Sequence, residues 1–149
     1  MTNNPNNIPL WLTEFGQLWQ QLNHGNVALI DRLYHPQIRF EDPSGVIQDR
    51  DGFKRHLHSL YQNTLSVEFS LLQPIIASHS EVTQPWQMTY RHPKLKRAQP
   101  IIVDGVSLLR AEQGLIINHR DYFDMGQMLY EPLPFVGALI RRIKQRVTP

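Results

Sequence analysis

The sequence predicts an α+β domain, with helices at the N-terminal end packed in the concave face of a curved, mostly antiparallel sheet and one amphipathic helix after it. Three observations predict it. Apolar residues recur at helical spacing in three segments before Gln62, and the apolar period then changes to two in long runs that reach Phe123. Beyond that point Phe135, Leu139, Ile143 and Val147 return at four-residue spacing. A curved sheet of this kind leaves a hollow on its inner side.

Each element has its own local reason. Residues 1–8 open with MTNNPNN, too polar to pack, and are expected to be disordered. Between Pro9 and Asn23, Trp11, Phe15, Leu18 and Leu22 form one helical stripe, and His24-Gly25 supplies the stop. Asn26 suits the cap of a second, short helix with Val27, Ile30 and Leu33 inward. His35-Pro36 is expected to end it, because the residue before a proline is disfavoured in the helical region. Ile38, Phe40 and Asp42 alternate with Arg39 and Glu41 in a strand that Pro43-Ser44-Gly45 closes. Asp51 is expected to start a third helix, with Phe53, Leu57, Leu60 and Tyr61 as its stripe.

The strands follow. Leu65, Val67, Phe69 and Leu71 alternate with Ser66, Glu68 and Ser70, the pattern of a half-exposed antiparallel strand. Two more are predicted from about Ser80 to Arg91 and from Gln99 to Arg110, joined by the basic loop HPKLKR. A turn at Glu112-Gln113-Gly114 leads into the last, Leu115 to Phe123. Asp124 and Gln127 fit a capping box, and Pro134 suits the first turn of the final helix. One domain over 9–126 and a helical extension over 127–149 account for the chain.

Composition narrows the function. The 149 residues are 41% apolar and 19% charged, as in a globular protein with one core. With no cysteine, disulfides, thiolate metal sites and a cysteine nucleophile are excluded. The polar start lacks the features of a secretion signal, and no apolar run is long enough to span a bilayer, so a cytoplasmic location is expected. Arg141, Arg142, Lys144 and Arg146 hold four of the positive charges, so a net +2 for the chain leaves 2 − 4 = −2 for residues 1–140. The basicity belongs to a tail, and neither nucleic acid nor a membrane is the expected partner.

The stretch INHRDYFDMG, Ile117 through Gly126, gathers a histidine, an arginine, two aspartates and two rings at the end of an apolar strand. Charged groups there are costly unless paired or used. Its segment His119-Arg120-Asp121-Tyr122-Phe123-Asp124 resembles the Arg-Asp-Tyr-Phe-Asp ending of the limonene epoxide hydrolases. Phe40-Glu41-Asp42-Pro43 is similar to the Glu-Asp-Pro of the ketosteroid isomerases. Both belong to the nuclear transport factor 2-like superfamily, and the chain resembles its SnoaL-like branch over residues 9–126. The resemblance implies a cone-shaped fold, a water-activating role for Asp121 and a proton shuttle at Asp42. It also sets Asp104 near an aspartic acid that stabilises an oxyanion. Two departures stand out: Gln84-Pro85-Trp86-Gln87-Met88 occupies the strand where the hydrolases carry an arginine and an aspartate, and Leu18 stands where the isomerases carry a tyrosine.

Strand alternation speaks to the same residues, because side chains two apart share a face. With Leu115 and Ile117 inward, His119, Asp121 and Phe123 follow; Ile38 and Phe40 bring Asp42; Ile102, Val106 and Leu108 bring Asp104. Trp86, Met88 and Tyr90, with Phe40, Phe123 and Trp19, are the expected wall. Carboxylates meeting in an apolar hollow would divide into a proton donor and a base. The expectation is a cofactor-independent acid/base enzyme for a small apolar molecule, an isomerase, epoxide hydrolase or cyclase, with Asp121 and Asp42 handling protons and Asp104 and His119 assisting. A binding module that kept the cavity without the chemistry stays open, as do local structural roles for each aspartate. No metal site is expected, since His56 and His58, two apart on a helix, face different ways. A homodimer through the outer sheet face, at Arg120, Tyr122 and Ser107, is expected, and the last helix is left to clamp its own domain, a second subunit or an anionic surface.

Overall fold

The computed structural model describes residues 7–148, so the unstructured start expected over residues 1–8 lies almost wholly outside the described residues. Helix α1 runs Leu10–Gln21 and buries Trp11, Leu12, Phe15, Leu18 and Trp19. The second predicted helix is a 3-10 turn instead, Val27–Arg32, which buries only Ile30. Asn26 does not cap it: its side chain accepts from the Asn23 amide at 2.7 Å and donates to the Gln21 carbonyl at 2.8 Å, closing the end of α1. His35-Pro36 falls inside strand β1, Tyr34–Asp42, so the proline marks extended backbone rather than a helix end.

A tight hairpin joins β1 to β2, Gly45–Ile47. Helix α2, Arg50–Asn63, starts one residue before the expected Asp51, because Asp49 is the cap and accepts from the Gly52 amide at 2.5 Å. The remaining strands are β3 (Ser66–Leu71), the short β4 (Ile75–Ile76), β5 (Glu81–Arg91), β6 (Ile101–Glu112) and β7 (Leu115–Phe123). They form one curved, unclosed sheet in the order β2-β1-β7-β6-β5-β3, with β4 beside β5; among the described residues only β1 and β7 pair in parallel. Between β6 and β7 the two-residue turn takes positive φ at both Gln113 (51°) and Gly114 (80°), the geometry whose twist matches a hairpin.

Pro85 sits inside β5, where it offers no amide to its neighbour. Leu72 donates to the Pro85 carbonyl at 3.0 Å, and the buried Gln84 side chain donates to the Leu72 carbonyl at 2.7 Å in place of the missing proline N–H. The core has two parts. The larger joins α1, α2 and the 3-10 turn to the inner face of β1, β5, β6 and β7; the smaller gathers Trp86, Met88, Tyr90, Leu95, Ile101 and Val103 beneath Phe123, Met128 and Leu133.

The chain ends in a π-helical turn, Gly126–Tyr130, and helix α3, Pro134–Val147, which has its proline in the first turn as the sequence predicts. Half of the expected capping box forms. Asp124 accepts from the Gly126 amide at 2.7 Å, but Gln127 turns to β6 and accepts from the Asp104 amide at 3.2 Å.

Candidate functional site

The register of β7 decides which of its side chains point inward. Between Arg110↔Asn118 and Ala111↔Ile116 the ladder skips Ile117, a β-bulge that reverses the alternation. Ile116, fully buried, therefore faces the core in place of the expected Leu115 and Ile117, and past the bulge His119 and Asp121 face it too. The expected pair is inward, but the phase that places it there is set by the bulge.

His119 is 2% exposed and lies at the centre of an aromatic shell: Phe40 meets it edge-on at 5.1 Å, Tyr34 stacks at 5.9 Å and Trp19 lies edge-on at 5.9 Å. Its polar atoms are fully used. Nε2 lies 2.7 Å from Asp121 Oδ1, and Nδ1 lies 2.9 Å from the Tyr34 hydroxyl. The Trp19 indole donates to the Tyr34 oxygen at 3.1 Å. On the other side Ser107 donates to Asp121 Oδ1 at 2.5 Å and accepts from the Trp86 indole at 2.9 Å.

Counting protons assigns the directions. A carboxylate can only accept, so the single proton of a neutral imidazole sits on Nε2, aimed at Asp121; Nδ1 then accepts from the Tyr34 hydroxyl, whose oxygen takes the Trp19 indole N–H. Two relays, Trp19-Tyr34-His119 and Trp86-Ser107, thus end on one carboxylate oxygen. Burial pushes the Tyr34 hydroxyl well above its ordinary pKa, partly offset by the Trp19 hydrogen bond, and the nearby Asp121 charge adds to the rise. Tyr34 is therefore held as a proton donor. Asp121 Oδ2 has no hydrogen-bond partner among the described residues.

Asp121, Ser107 and His119 line a small, partly open void walled by Phe15, Trp19, Phe69, Leu71 and Trp86, with a volume of about 20 Å³. That is room for one water. A wider, open concavity of about 440 Å³ lies on the outer face of the sheet between Arg39, Glu41, Leu108, Arg110 and Arg120. Its charges are largely spent on one another: Glu41 takes Arg39 and Arg120, both at 2.5 Å, and Arg110 takes Glu112 at 2.8 Å. Arg120 also lies over the Tyr122 ring at 4.6 Å.

The other expected site residues part company here. Asp104 faces outward, because Val103, Ser107 and Leu109 hold the inner positions of β6 while Ile102 and Leu108 are exposed; its carboxylate accepts from Gln87 at 3.0 Å. Asp42 ends β1 and caps its own hairpin, accepting from the Ser44 amide at 2.8 Å, the Ser44 hydroxyl at 2.5 Å and the Gly45 amide at 3.2 Å. Of the three aspartates only Asp121 reaches the void, so the expected sharing of protons among them has no geometry behind it. Trp86 and Trp19 wall the void, whereas Met88 and Tyr90 pack in the second core, where the Tyr90 hydroxyl donates to the Met128 carbonyl. Phe40 backs His119, and Phe123 lies tilted against Trp86 at 6.1 Å.

Sequence reasoning missed Tyr34 and misplaced Ser107, expected on the outer face and found 2% exposed at the carboxylate. Gly105 goes with them, since a Cβ there would lie 2.2 Å from the Trp86 ring. Among the described residues no group of three or more histidine and acidic side chains converges as a metal would need.

Helices against the inner face of a curved mixed sheet, with a polar group at the bottom of the hollow, define a cone-shaped α+β domain. The chain belongs to the SnoaL-like domain family, whose model matches residues 15–119. Its fold is shared by a protein of ketosteroid isomerase-like fold from Catenulispora acidiphila, solved with trimethylamine, at 19% identity and a TM-score of 0.71 over 85% of this chain and 95% of that one. It is shared too by IdmH of Streptomyces antibioticus, a candidate polyketide cyclase, at 15% identity and a TM-score of 0.69 over 80% and 96%. A candidate SnoaL-like polyketide cyclase from a Jannaschia species matches at 13% identity and 0.68 over 84% and 92%. No curated protein matches the chain in sequence.

Proposed function

We propose that this domain receives a small apolar carbonyl compound against Asp121 and moves a proton at the carbon beside that carbonyl. The observation that carries the reading is the convergence of His119 and Ser107 on Asp121 Oδ1, which leaves Oδ2 for a partner that is not protein. In the step, Oδ2 takes the proton, the C–H electron pair forms the enolate double bond and the carbonyl pair moves to oxygen; return of the proton to another position completes an isomerisation. Tyr34 and Ser107 act by positioning, fixing the imidazole and the carboxylate plane before substrate arrives. The likeness to a ketosteroid isomerase-like fold and to candidate polyketide cyclases supports the same class of chemistry.

One observation favours a second reading, that the network is a structural clasp: the void has room for a water and for no ring. Entry of a substrate therefore requires side chains to move. Phe69 and Leu71 are the ones placed for it, being half-buried on β3, an edge strand of the sheet. Incubation in D₂O with cyclohexanone, 2-tetralone and a steroid 4-en-3-one, followed by mass spectrometry, separates the readings. The proposal expects deuterium at the α-carbon of at least one ketone with the wild type and none with Asp121→Asn, whose amide oxygen still accepts from His119 and Ser107 and so preserves the fold. Binding without exchange leaves a ligand-binding module, and neither binding nor exchange leaves the clasp.

A further inference from the structure

Helix α3 is mounted with its apolar side out. Toward the body it presents Gly137, whose hydrogen faces the Glu131 carbonyl so closely that a Cβ would come to 2.1 Å. On the same side lie Arg141, which donates to that carbonyl at 3.3 Å, and Lys144, which pairs with Glu131 and lies 3.5 Å from Asp124. Toward solvent it presents Phe135 at 90% exposure, Leu139 at 59%, Ile143 at 51% and Val147 at 79%, one stripe at four-residue spacing, with Val136 beside it. Of the three partners the sequence left for this helix, its own domain is thereby removed. An exposed stripe of this size marks a contact surface.

Charge selects the occupant. Between Pro134 and Val147 there are four basic side chains and no acidic one. Arg142 and Arg146 sit on the solvent side beside the stripe and take part in no ion pair among the described residues. A second copy laying its α3 antiparallel over the full helix would set Arg142 across from Leu139 and Arg146 across from Phe135, so the arginines would meet apolar side chains and no acidic one. An anionic bilayer satisfies both halves: the stripe enters the boundary of the acyl chains and the arginines meet headgroup phosphates. We infer that α3 docks this protein on an anionic lipid surface, lying in its plane with Phe135, Leu139 and Ile143 immersed. The basic tail read from the sequence is then a lipid-facing helix, and the inference stands apart from the proton chemistry of Asp121. No helix of the described residues is long and apolar enough to cross the membrane, so the contact is peripheral.

The test uses the full chain and extruded vesicles of phosphatidylcholine alone or mixed equally with phosphatidylglycerol. Sedimentation should carry the wild type down with the mixed vesicles at low salt, much less with phosphatidylcholine alone, and less as salt screens the arginines. Arg142→Gln with Arg146→Gln should weaken partitioning about thirtyfold. Phe135→Ser with Leu139→Ser and Ile143→Ser should abolish it and leave the melting temperature unchanged, since all three side chains are exposed. Failure of the wild type to bind mixed vesicles overturns the inference. So does undiminished binding by the serine variant, or a lipid-free dimer that this variant breaks, which would assign the stripe to a second copy.

Discussion

Tyr34 and Tyr61 are both buried tyrosines, and removing the hydroxyl should have opposite consequences at the two positions. The Tyr34 oxygen joins the Trp19 indole at 3.1 Å to His119 Nδ1 at 2.9 Å, with the ring fully buried. Tyr34→Phe strands a buried donor and a buried acceptor, each worth about 1–3 kcal/mol when left unpaired, for a total of roughly 2–6 kcal/mol. For a chain of this length that is a fall in melting temperature of roughly 5–20 °C. The Tyr61 hydroxyl is buried with no partner among the described residues, so the folded protein already bears its desolvation. Tyr61→Phe should be neutral or stabilising by up to about 1–2 kcal/mol. Thermal unfolding of the two variants side by side, by circular dichroism and calorimetry, measures the contrast. Equal shifts would refute the claim that the Trp19-Tyr34-His119 relay is formed and energetically coupled.

Gly105→Ala should push the Trp86 ring off its seat, since the new Cβ would lie 2.2 Å from it; the expected cost is about 1–3 kcal/mol, read by denaturant unfolding, together with a shift in tryptophan emission. Tyr34, Tyr61 and Tyr90 all have pKa values raised above the ordinary one by burial. A raised folded-state pKa contributes stability that is whole below the unfolded value near pH 10 and fades as pH climbs toward the folded one, because only the unfolded chain releases its protons. Stability should therefore fall from about pH 10 upward. Phenolate absorbance from these three should rise only together with the loss of circular dichroism, and a rise in the folded protein would contradict their burial.

Helices α1, α2 and α3 and the five longer strands were legible in the sequence because apolar period is a local property, whereas the short β2 and β4 were not. Hairpin turns were legible for the same reason, Gln113-Gly114 being the plainest. What failed depends on contacts distant in sequence. On β6 the doublets Ile101-Ile102 and Leu108-Leu109 fit either face, so Asp104 was expected inward and Ser107 outward, and the structure reverses both. His119 and Asp121 were expected inward by counting back to Ile117, yet the bulge at that residue puts Ile116 in the core. Tyr34 was hidden by His35-Pro36, which reads as the end of a helix and lies in a strand. The period of α3 announced an amphipathic helix, but which side meets the body is decided by Asp124 and Glu131 reaching Lys144.

The central claim is that Asp121 and the groups bonded to it form a site that a small molecule enters. Two of the three indole N–H groups report on that site: Trp19 and Trp86 belong to the relays, while Trp11 donates to the His79 carbonyl at 2.8 Å, outside them. Titration of the ¹⁵N-labelled protein with the same three ketones, followed by proton-nitrogen correlation spectra, reads all three at once. The account predicts that at least one ketone moves the Trp19 and Trp86 indole signals and the His119 Nε2–H signal in a saturable way while Trp11 stays in place. Stationary relay signals with every ketone, or a shift at Trp11 as large as theirs, would contradict it.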